Sequence, residues 1–190
     1  MTPTHDLTGM VLAGGEGRRM GGRDKGLEPF AGLPLVGHVV KRLEGQVAEL
    51  LINANRNTDA YRFFADRIVE DAEGGFKGPL MGIYSGMRAA KTPWLLVVPC
   101  DSPALPDDLV ARMAQGIGQH DIAVAFDGER LHPVVALLRT SLADDLAAAR
   151  HAWCKVDMSD CPDAFANLNT EEEKLHLEKV LMGSSSKEVK

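Results

Sequence analysis

The sequence predicts an α/β domain of three layers, with a Rossmann-like, mostly parallel sheet and helices on both faces. Short apolar runs alternate with amphipathic segments along most of the chain, and the first four predicted strands end in small, polar or acidic residues. The length of 190 residues is enough for one sizeable core. We therefore expect a single domain over residues 1–182 and a disordered polar tail over residues 183–190.

The first half of the chain alternates strand and helix signals. Leucine and valine recur every three or four positions after Leu35, Thr58 can cap a helix, Pro79 suits a first helical turn, and "WLLVV" is typical of a buried strand. The predicted strands are residues 10–13, 48–52, 67–69 and 94–98, and the predicted helices are residues 35–43, 58–65 and 79–90.

The second half continues the same alternation up to a terminal helix. The runs "DIAVAF" and "HPVVALL" predict strands at residues 121–126 and 132–138. Helices are predicted over residues 106–115 and 141–150, and a short strand or loop followed by a helix over residues 165–181.

Composition excludes several classes of protein. The net charge is −6 and the pI is about 5.5, which argues against broad nucleic-acid binding. No apolar run approaches a membrane span, and the first residues lack a secretion signal. Three cysteines without Cys-x-x-Cys spacing disfavour a disulfide scaffold or a zinc site and suit a reducing compartment. We expect a cytoplasmic monomer that binds neither membrane nor nucleic acid.

Candidate ligand-binding residues follow the predicted parallel strands. Gly14 and Gly15 follow the first strand, Asn53 the second, Asp71 the third and Asp101 the fourth. Ligands of open α/β sheets bind outside the carboxyl ends of the strands, so these residues suggest a nucleotide site. Each also has a plainer interpretation, because strands commonly end in turn-forming residues and Asp101 could cap the following helix.

The segment "GGEGRRMGGRDKG", residues 14–26, combines glycines with four basic side chains. Glycine lets the backbone approach phosphates closely, and arginine offers planar donors that suit phosphate oxygens. The spacing matches neither G-x-x-x-x-G-K-[ST] nor a clean G-x-G-x-x-G. The segment is therefore either a phosphate-binding loop or a flexible, solvated basic loop.

Two further residues have competing interpretations. Cys100 adjoins Asp101, but no partner histidine is identifiable, so a buried cysteine is favoured over a nucleophile. His132 precedes a proline at the start of a predicted strand, where it has either a structural role or a role on the acceptor side.

Several segments together resemble a known enzyme family. "LAGGEGRRMGGRDKG" is similar to the signature loop of nucleotidyltransferases of the GT-A-like fold. The further segments "NANRN", "EDAEGGFKGPLMG", "PCDSP", "GERLHPVVALL" and "FANLNTEEE" resemble, in order, the molybdenum cofactor guanylyltransferases from about Thr8 to Leu177. The resemblance implies a nucleotide-diphospho-sugar transferase-like fold, a Mg²⁺ cofactor, and transfer of GMP from GTP to the terminal phosphate of molybdopterin.

The same resemblance implies a role for each matching residue. The catalytic residues would be Lys25 at the α-phosphate, Arg19 at the leaving phosphates and Asp101 as the Mg²⁺ ligand. The nucleotide would contact Leu12, Ala13, Gly14, Gly15, Arg18, Lys25, Asn53, Asp71 and Asp101. Gly78 and Gly82 would flank a helix start near the nucleotide, on the acceptor side, and Asn167 and Asn169 would lie toward molybdopterin.

The chain departs from the family pattern on that acceptor side. The family usually carries a longer, often basic segment before the late asparagines. Here "AAARHAWCKVDMSDCPDAFANLNT" joins the preceding predicted helix directly to those asparagines, and Arg150 and Lys155 are its basic residues. Three alternatives stay open: a cytidylyltransferase for the same cofactor, a sugar-phosphate nucleotidyltransferase, and a weakly catalytic carrier that delivers nucleotide or cofactor to molybdoenzymes or their chaperones.

Overall fold

The computed structural model of the chain describes residues 6–14, 23–73, 78–148, 153–161, 164–166, 168 and 170–185. The strands are β1 (Leu7–Leu12), β2 (Pro29–Phe30), β3 (Leu33–Pro34), β4 (Glu49–Asn53), β5 (Arg67–Val69), β6 (Trp94–Pro99), β7 (Ile122–Phe126), β8 (Leu131–Arg139) and β9 (Trp153–Asp157). The α-helices are α1 (Leu35–Leu43), α2 (Thr58–Tyr61), α3 (Pro79–Ala89), α4 (Leu109–Gly116) and α5 (Glu171–Ser185), and 3₁₀ helices span Lys25–Leu27 and Thr140–Ala148.

Among the described residues, seven strands form the main sheet, in the order β5-β4-β1-β6-β8-β7-β9. β1 pairs in parallel with both β4 and β6, and β5 and β9 extend the sheet in parallel at its two edges. β8 is antiparallel to both of its neighbours, β6 and β7. The prediction of a mostly parallel sheet is therefore confirmed.

Helices cover both faces of this sheet, as predicted. Side chains alternate along β1, so that Leu7 and Val11 join the core under α1 and α4, while Met10 joins the core under α3. The 3₁₀ helix Thr140–Ala148 packs beside α3 on the second face. The result is a three-layer architecture with an apolar core on each side of the sheet.

Several predicted elements differ from the observed ones. Asn57, in a left-handed conformation with φ of 51°, precedes α2, so Thr58 is the first helical residue and not its cap, and the helix ends at Tyr61 and not at residue 65. The helix predicted from residue 106 begins at Leu109, because a turn over Pro106–Asp108 precedes it. The helix predicted at residues 141–150 is the 3₁₀ helix, and residues 149–150 lie outside the described residues.

The small hairpin of β2 and β3 was not predicted, and neither was β9. The hairpin strands are two residues long, too short for a periodic pattern, and β9 is an edge strand that pairs with β7. No helix in the part of the chain that the structure describes is long and apolar enough to cross a membrane.

Helix α5 packs against the hairpin and closes a third, smaller core of Phe30, Leu35, Leu168 and Leu177. A capping box begins the helix: the Thr170 hydroxyl accepts the Glu173 N–H, and the Glu173 carboxylate accepts the Thr170 N–H. The helix continues to Ser185, beyond residue 182 where the predicted domain ends, and residues 186–190 lie outside the described residues.

A buried ion pair joins α5 to the segment after Lys25. Lys174 Nζ donates to Glu28 Oε2 at 2.6 Å, and the two side chains are only 10% and 8% exposed. Glu28 Oε1 is buried, has no hydrogen-bond partner among the described residues, and lies 3.8 Å from Arg23 Nε. Burial of both charges makes the pair costly to break by removing one partner.

We expect Lys174→Met to lower the free energy of unfolding by about 3–5 kcal/mol, because the buried Glu28 carboxylate loses the cation at 2.6 Å and keeps the longer contact of 3.8 Å with the largely exposed Arg23. The double variant Glu28→Leu/Lys174→Met should recover most of that loss, since no charge then remains buried. Urea unfolding of the three proteins measures both values. A single variant as stable as the wild type would contradict this assignment.

Candidate active site

Four parallel strands bring the predicted binding residues to one edge of the sheet. Pairing of β1 with β4 places Leu12 opposite Asn53, and pairing with β6 places Leu12 opposite Pro99. Two bonds extend the pairing past the strand ends: Ala13 N donates to the Asn53 carbonyl at 2.8 Å, and Cys100 N donates to the Leu12 carbonyl at 3.0 Å. Ala13 and Cys100, the residues that follow β1 and β6, therefore lie side by side at this edge.

Lys25 and Asp101 meet at this edge. Lys25 Nζ donates to Asp101 Oδ2 at 2.6 Å, with 21% of the lysine side chain and 16% of the aspartate side chain exposed. The pair is thus partly buried but open to a ligand. Because water is largely excluded, a charge brought here interacts more strongly than it would on the surface.

Tyr61 packs against the residues on both sides of Lys25. The Asp24 carboxylate, 6% exposed, accepts hydrogen bonds from the fully buried Tyr61 hydroxyl and from Asn57 Nδ2, the latter at 2.9 Å. A Cβ on Gly26 would lie 2.4 Å from the Tyr61 hydroxyl oxygen, so glycine is needed for this close approach. Burial and the bond to Asp24 raise the pKa of Tyr61, which keeps its hydroxyl protonated as a donor.

Sequence reasoning missed this support. Asp24 stands beside Lys25 in the basic segment, and its position between two basic residues was the only signal that pointed to it. Tyr61 lies on the four-residue helix α2, too short to show a periodic pattern.

A second polar cluster lies where β4 and β5 end. Asn53 Nδ2 donates to Asp71 Oδ1 at 2.9 Å, and Asn55 Nδ2 donates to Asp71 Oδ2 at 2.8 Å. Asn55 Oδ1 in turn accepts the Asp71 N–H at 2.8 Å. The carboxylate and both amides are therefore fixed in orientation. A site that recognises a ligand through hydrogen bonds requires such fixed donors and acceptors.

Two of the predicted glycines contact Asn53. A Cβ on Gly82 would lie 2.4 Å from Asn53 Oδ1 and 2.9 Å from Leu12, and a Cβ on Gly14 would lie 3.0 Å from Asn53 Oδ1. Gly82, assigned by the resemblance to the acceptor side near the nucleotide, therefore packs directly on Asn53. Gly78 precedes α3 with φ of 85°, a conformation that favours glycine.

The other predicted site residues cannot be placed. Gly15, Arg18, Arg19, Asn167 and Asn169 lie outside the described residues. Next to the last two, Leu168 N donates to the Asp101 carbonyl at 3.3 Å, which brings the late segment of the chain to the same edge of the sheet.

Cys100 is buried, and His132 contacts two other side chains. Cys100 is 8% exposed, and burial raises the pKa of its thiol above the ordinary value, so it stays protonated at neutral pH, as expected for a buried cysteine and not a nucleophile. His132 Nε2 lies 2.6 Å from Asp127 Oδ2, and its ring stacks on Phe165.

The donor set fits a magnesium ion held largely by substrate. Among the described residues, no cluster of three histidine, cysteine, aspartate or glutamate side chains could hold a metal. Mg²⁺ commonly binds one or two carboxylates together with substrate phosphates and water, so Asp101 alone meets that requirement. The arrangement places a lysine cation and a carboxylate that could hold a divalent ion at one point, which suits chemistry on a phosphate chain.

Comparison with known proteins agrees with this geometry. Residues 9–157 match the model of the MobA-like NTP transferase domain. A protein of Shewanella amazonensis named molybdenum cofactor guanylyltransferase is 45% identical over 92% of this chain and 97% of its own length.

Solved structures share the fold at low sequence identity. Molybdopterin-guanine dinucleotide biosynthesis protein A from Archaeoglobus fulgidus aligns with a TM-score of 0.73 at 18% identity, over 93% of this chain and 99% of its own. Rv0371C of Mycobacterium tuberculosis, solved as a complex with manganese, aligns with a TM-score of 0.66 at 17% identity, over 90% and 97%. On the family match and the identity to the Shewanella protein, the chain is a nucleotidyltransferase and belongs to the MobA-like NTP transferase family.

Proposed function

We propose that this chain transfers GMP from GTP to the terminal phosphate of molybdopterin, giving the guanine dinucleotide cofactor and pyrophosphate. The observation that carries the proposal is the Lys25–Asp101 pair, a cation and a carboxylate 2.6 Å apart at the carboxyl edge of a parallel sheet. The name of the Shewanella relative, 45% identical over nearly all of both chains, supports this choice of substrates.

The chemistry suits a site without a general base. A phosphate oxygen of molybdopterin attacks the α-phosphorus of GTP, a new P–O bond forms, and the bond from the α-phosphorus to the bridging oxygen breaks. The attacking oxygen is already ionised at neutral pH, so it needs no proton acceptor. Because both substrates are anions, the barrier depends on their alignment and on neutralising the charge that moves onto pyrophosphate.

Each proposed role follows from that need. Lys25 binds the α-phosphate, and Arg18 and Arg19 hold the β- and γ-phosphates that leave. Asp101 would hold a divalent cation, Mg²⁺ in our proposal, which would neutralise phosphate charge when bound. The manganese complex of the Mycobacterium tuberculosis neighbour supports a divalent ion in this fold.

The remaining site residues divide between the two substrates. We assign the backbone of Leu12, Ala13, Gly14 and Gly15 and the side chains of Asn53 and Asp71 to the nucleotide, and Gly78, Gly82, Asn167 and Asn169 to the boundary with molybdopterin. The enzyme would work as a monomer in the cytoplasm and hand its product to molybdoenzymes or their chaperones.

Pyrophosphate release tests the function directly. The purified protein is mixed with Mg²⁺, molybdate and molybdopterin, and release is measured in parallel with GTP, CTP, ATP and UTP, and with a sugar 1-phosphate in place of molybdopterin. Release with GTP and molybdopterin is the expected result. Release with CTP identifies a cytidylyltransferase, release with the sugar phosphate a sugar nucleotidyltransferase, and GTP binding without release a carrier.

We expect Lys25→Ala and Asp101→Ala each to lower kcat by at least 10²–10³-fold, because each removes a charge placed at the reacting phosphates. Steady-state pyrophosphate release measures the loss. Lys41→Ala and Asp59→Asn, which change exposed charges on α1 and α2, are matched controls and should keep wild-type rates. Near-normal turnover of either site variant would refute the role of that residue.

We expect Asp71→Asn to raise the KM for GTP at least tenfold and to change kcat little. The variant loses the carboxylate that accepts hydrogen bonds from Asn53 and Asn55 and so orients Asn53. In our proposal Asn53 and Asp71 contact the nucleotide equally in the ground state and in the transition state, so their disturbance acts on KM. Initial rates at varied GTP concentrations give both constants, again with Asp59→Asn as the control. A kcat effect without a change in KM would place Asp71 in the chemical step instead.

A further inference from the structure

The sheet opens between β6 and β8 on the side of the candidate active site. The two strands pair from Trp94–Arg139 to Val97–Ala136, and their pairing ends there although β6 continues to Pro99 and β8 begins at Leu131. On its other side, β8 shifts register: Val124 pairs with Ala136, but the next residue, Ala125, pairs with His132. Such irregularities re-aim side chains and are common next to active sites.

The late segment of the chain spans this opening. Leu168 N donates to the Asp101 carbonyl at 3.3 Å on the side of β6. On the side of β8, the Phe165 ring stacks on the His132 ring, with centroids 4.4 Å apart and planes at 27°. Phe165 and Leu168 are 3% and 0% exposed, so both anchors are buried. We name described residues 164–166 and 168 the Phe165 segment.

His132 is itself held rigidly. Its Nε2 lies 2.6 Å from Asp127 Oδ2, and Asp127 Oδ1 accepts the N–H groups of Glu129 and Arg130, each at 2.8 Å. The Arg130 N–H, the His132 contact and the Glu129 N–H together lower the pKa of Asp127 below its ordinary value, so the carboxylate is ionised at neutral pH. An apolar ring would suffice for stacking alone, whereas this ring is also fixed in orientation by a carboxylate.

We propose that His132 is a positioning residue for the phosphate acceptor. Asp127 fixes the imidazole, the imidazole fixes Phe165, and the Phe165 segment is thereby held against the backbone of Asp101. In the sequence, Asn167 and Asn169, the residues assigned to molybdopterin, are the two neighbours of Leu168, so the inference rests on the proposed function. It assigns His132 to the binding of the acceptor and not to the binding of GTP, whose proposed contacts lie on β1, β4 and β5.

Three variants separate the two interactions of His132. His132→Ala removes both, His132→Phe keeps a ring to stack on Phe165, and His132→Asn keeps a polar group toward Asp127. His120→Ala is the matched control, because His120 is exposed and precedes β7 at the opposite end of the sheet. For each protein, dissociation constants for molybdopterin and for GTP are measured separately by fluorescence titration, and KM and kcat are measured by pyrophosphate release.

We expect His132→Ala to weaken molybdopterin binding about threefold to tenfold, the range of one lost aromatic stack, and to leave GTP binding unchanged. His132→Phe should recover part of the loss. Unchanged molybdopterin binding in His132→Ala, or equal weakening for both substrates, would overturn the positioning role. Wild-type protein that binds molybdopterin without releasing pyrophosphate would overturn the proposed transfer but not this role, and wild-type protein that does not bind molybdopterin would overturn both.

Discussion

The candidate site depends on the pairing of β1 with β6. That pairing extends past the strand ends through the Cys100 N–H and the Leu12 carbonyl, so the chain leaves β1 and β6 at adjacent points of the sheet edge. Lys25, 76 positions from Asp101 in sequence, can then reach its carboxylate. Parallel pairing of β1 with β4 adds Asn53 to the same edge, and β5 adds Asp71. The central parallel strands therefore place both polar clusters at once.

Hydropathy predicted this central sheet because its strands are buried on both faces and flanked by turn residues. The carboxyl ends of those strands also predicted Asn53, Asp71 and Asp101 as neighbours, since parallel strands end at a common edge. The family resemblance, and not any spacing, supplied the identity of the substrates and the separate roles of the glycines. Sequence alone could not show that Gly82 packs on Asn53, because that contact depends on how α3 lies over the sheet.

Apart from the short β2–β3 hairpin, the features that escaped prediction have partners distant in sequence. Glu28 and Lys174 are charged residues, which sequence patterns assign to the surface, yet they are buried because each neutralises the other. Tyr61 is fully buried under Asp24 from a helix of one turn. The strand β9 lies at the edge of the sheet, where it pairs with β7. Local periodicity carries no information about such contacts.

The most direct test asks whether Lys25 and Asp101 act as one unit. The measurement is a double-mutant cycle on kcat for pyrophosphate release from GTP, with Lys25→Ala, Asp101→Ala and the variant that carries both. Groups that act on the same reacting phosphate are strongly non-additive, so the double variant should be about as slow as the slower single variant. Losses that multiply in the double variant would show that the two residues act independently, and would contradict a single reaction centre built on this pair.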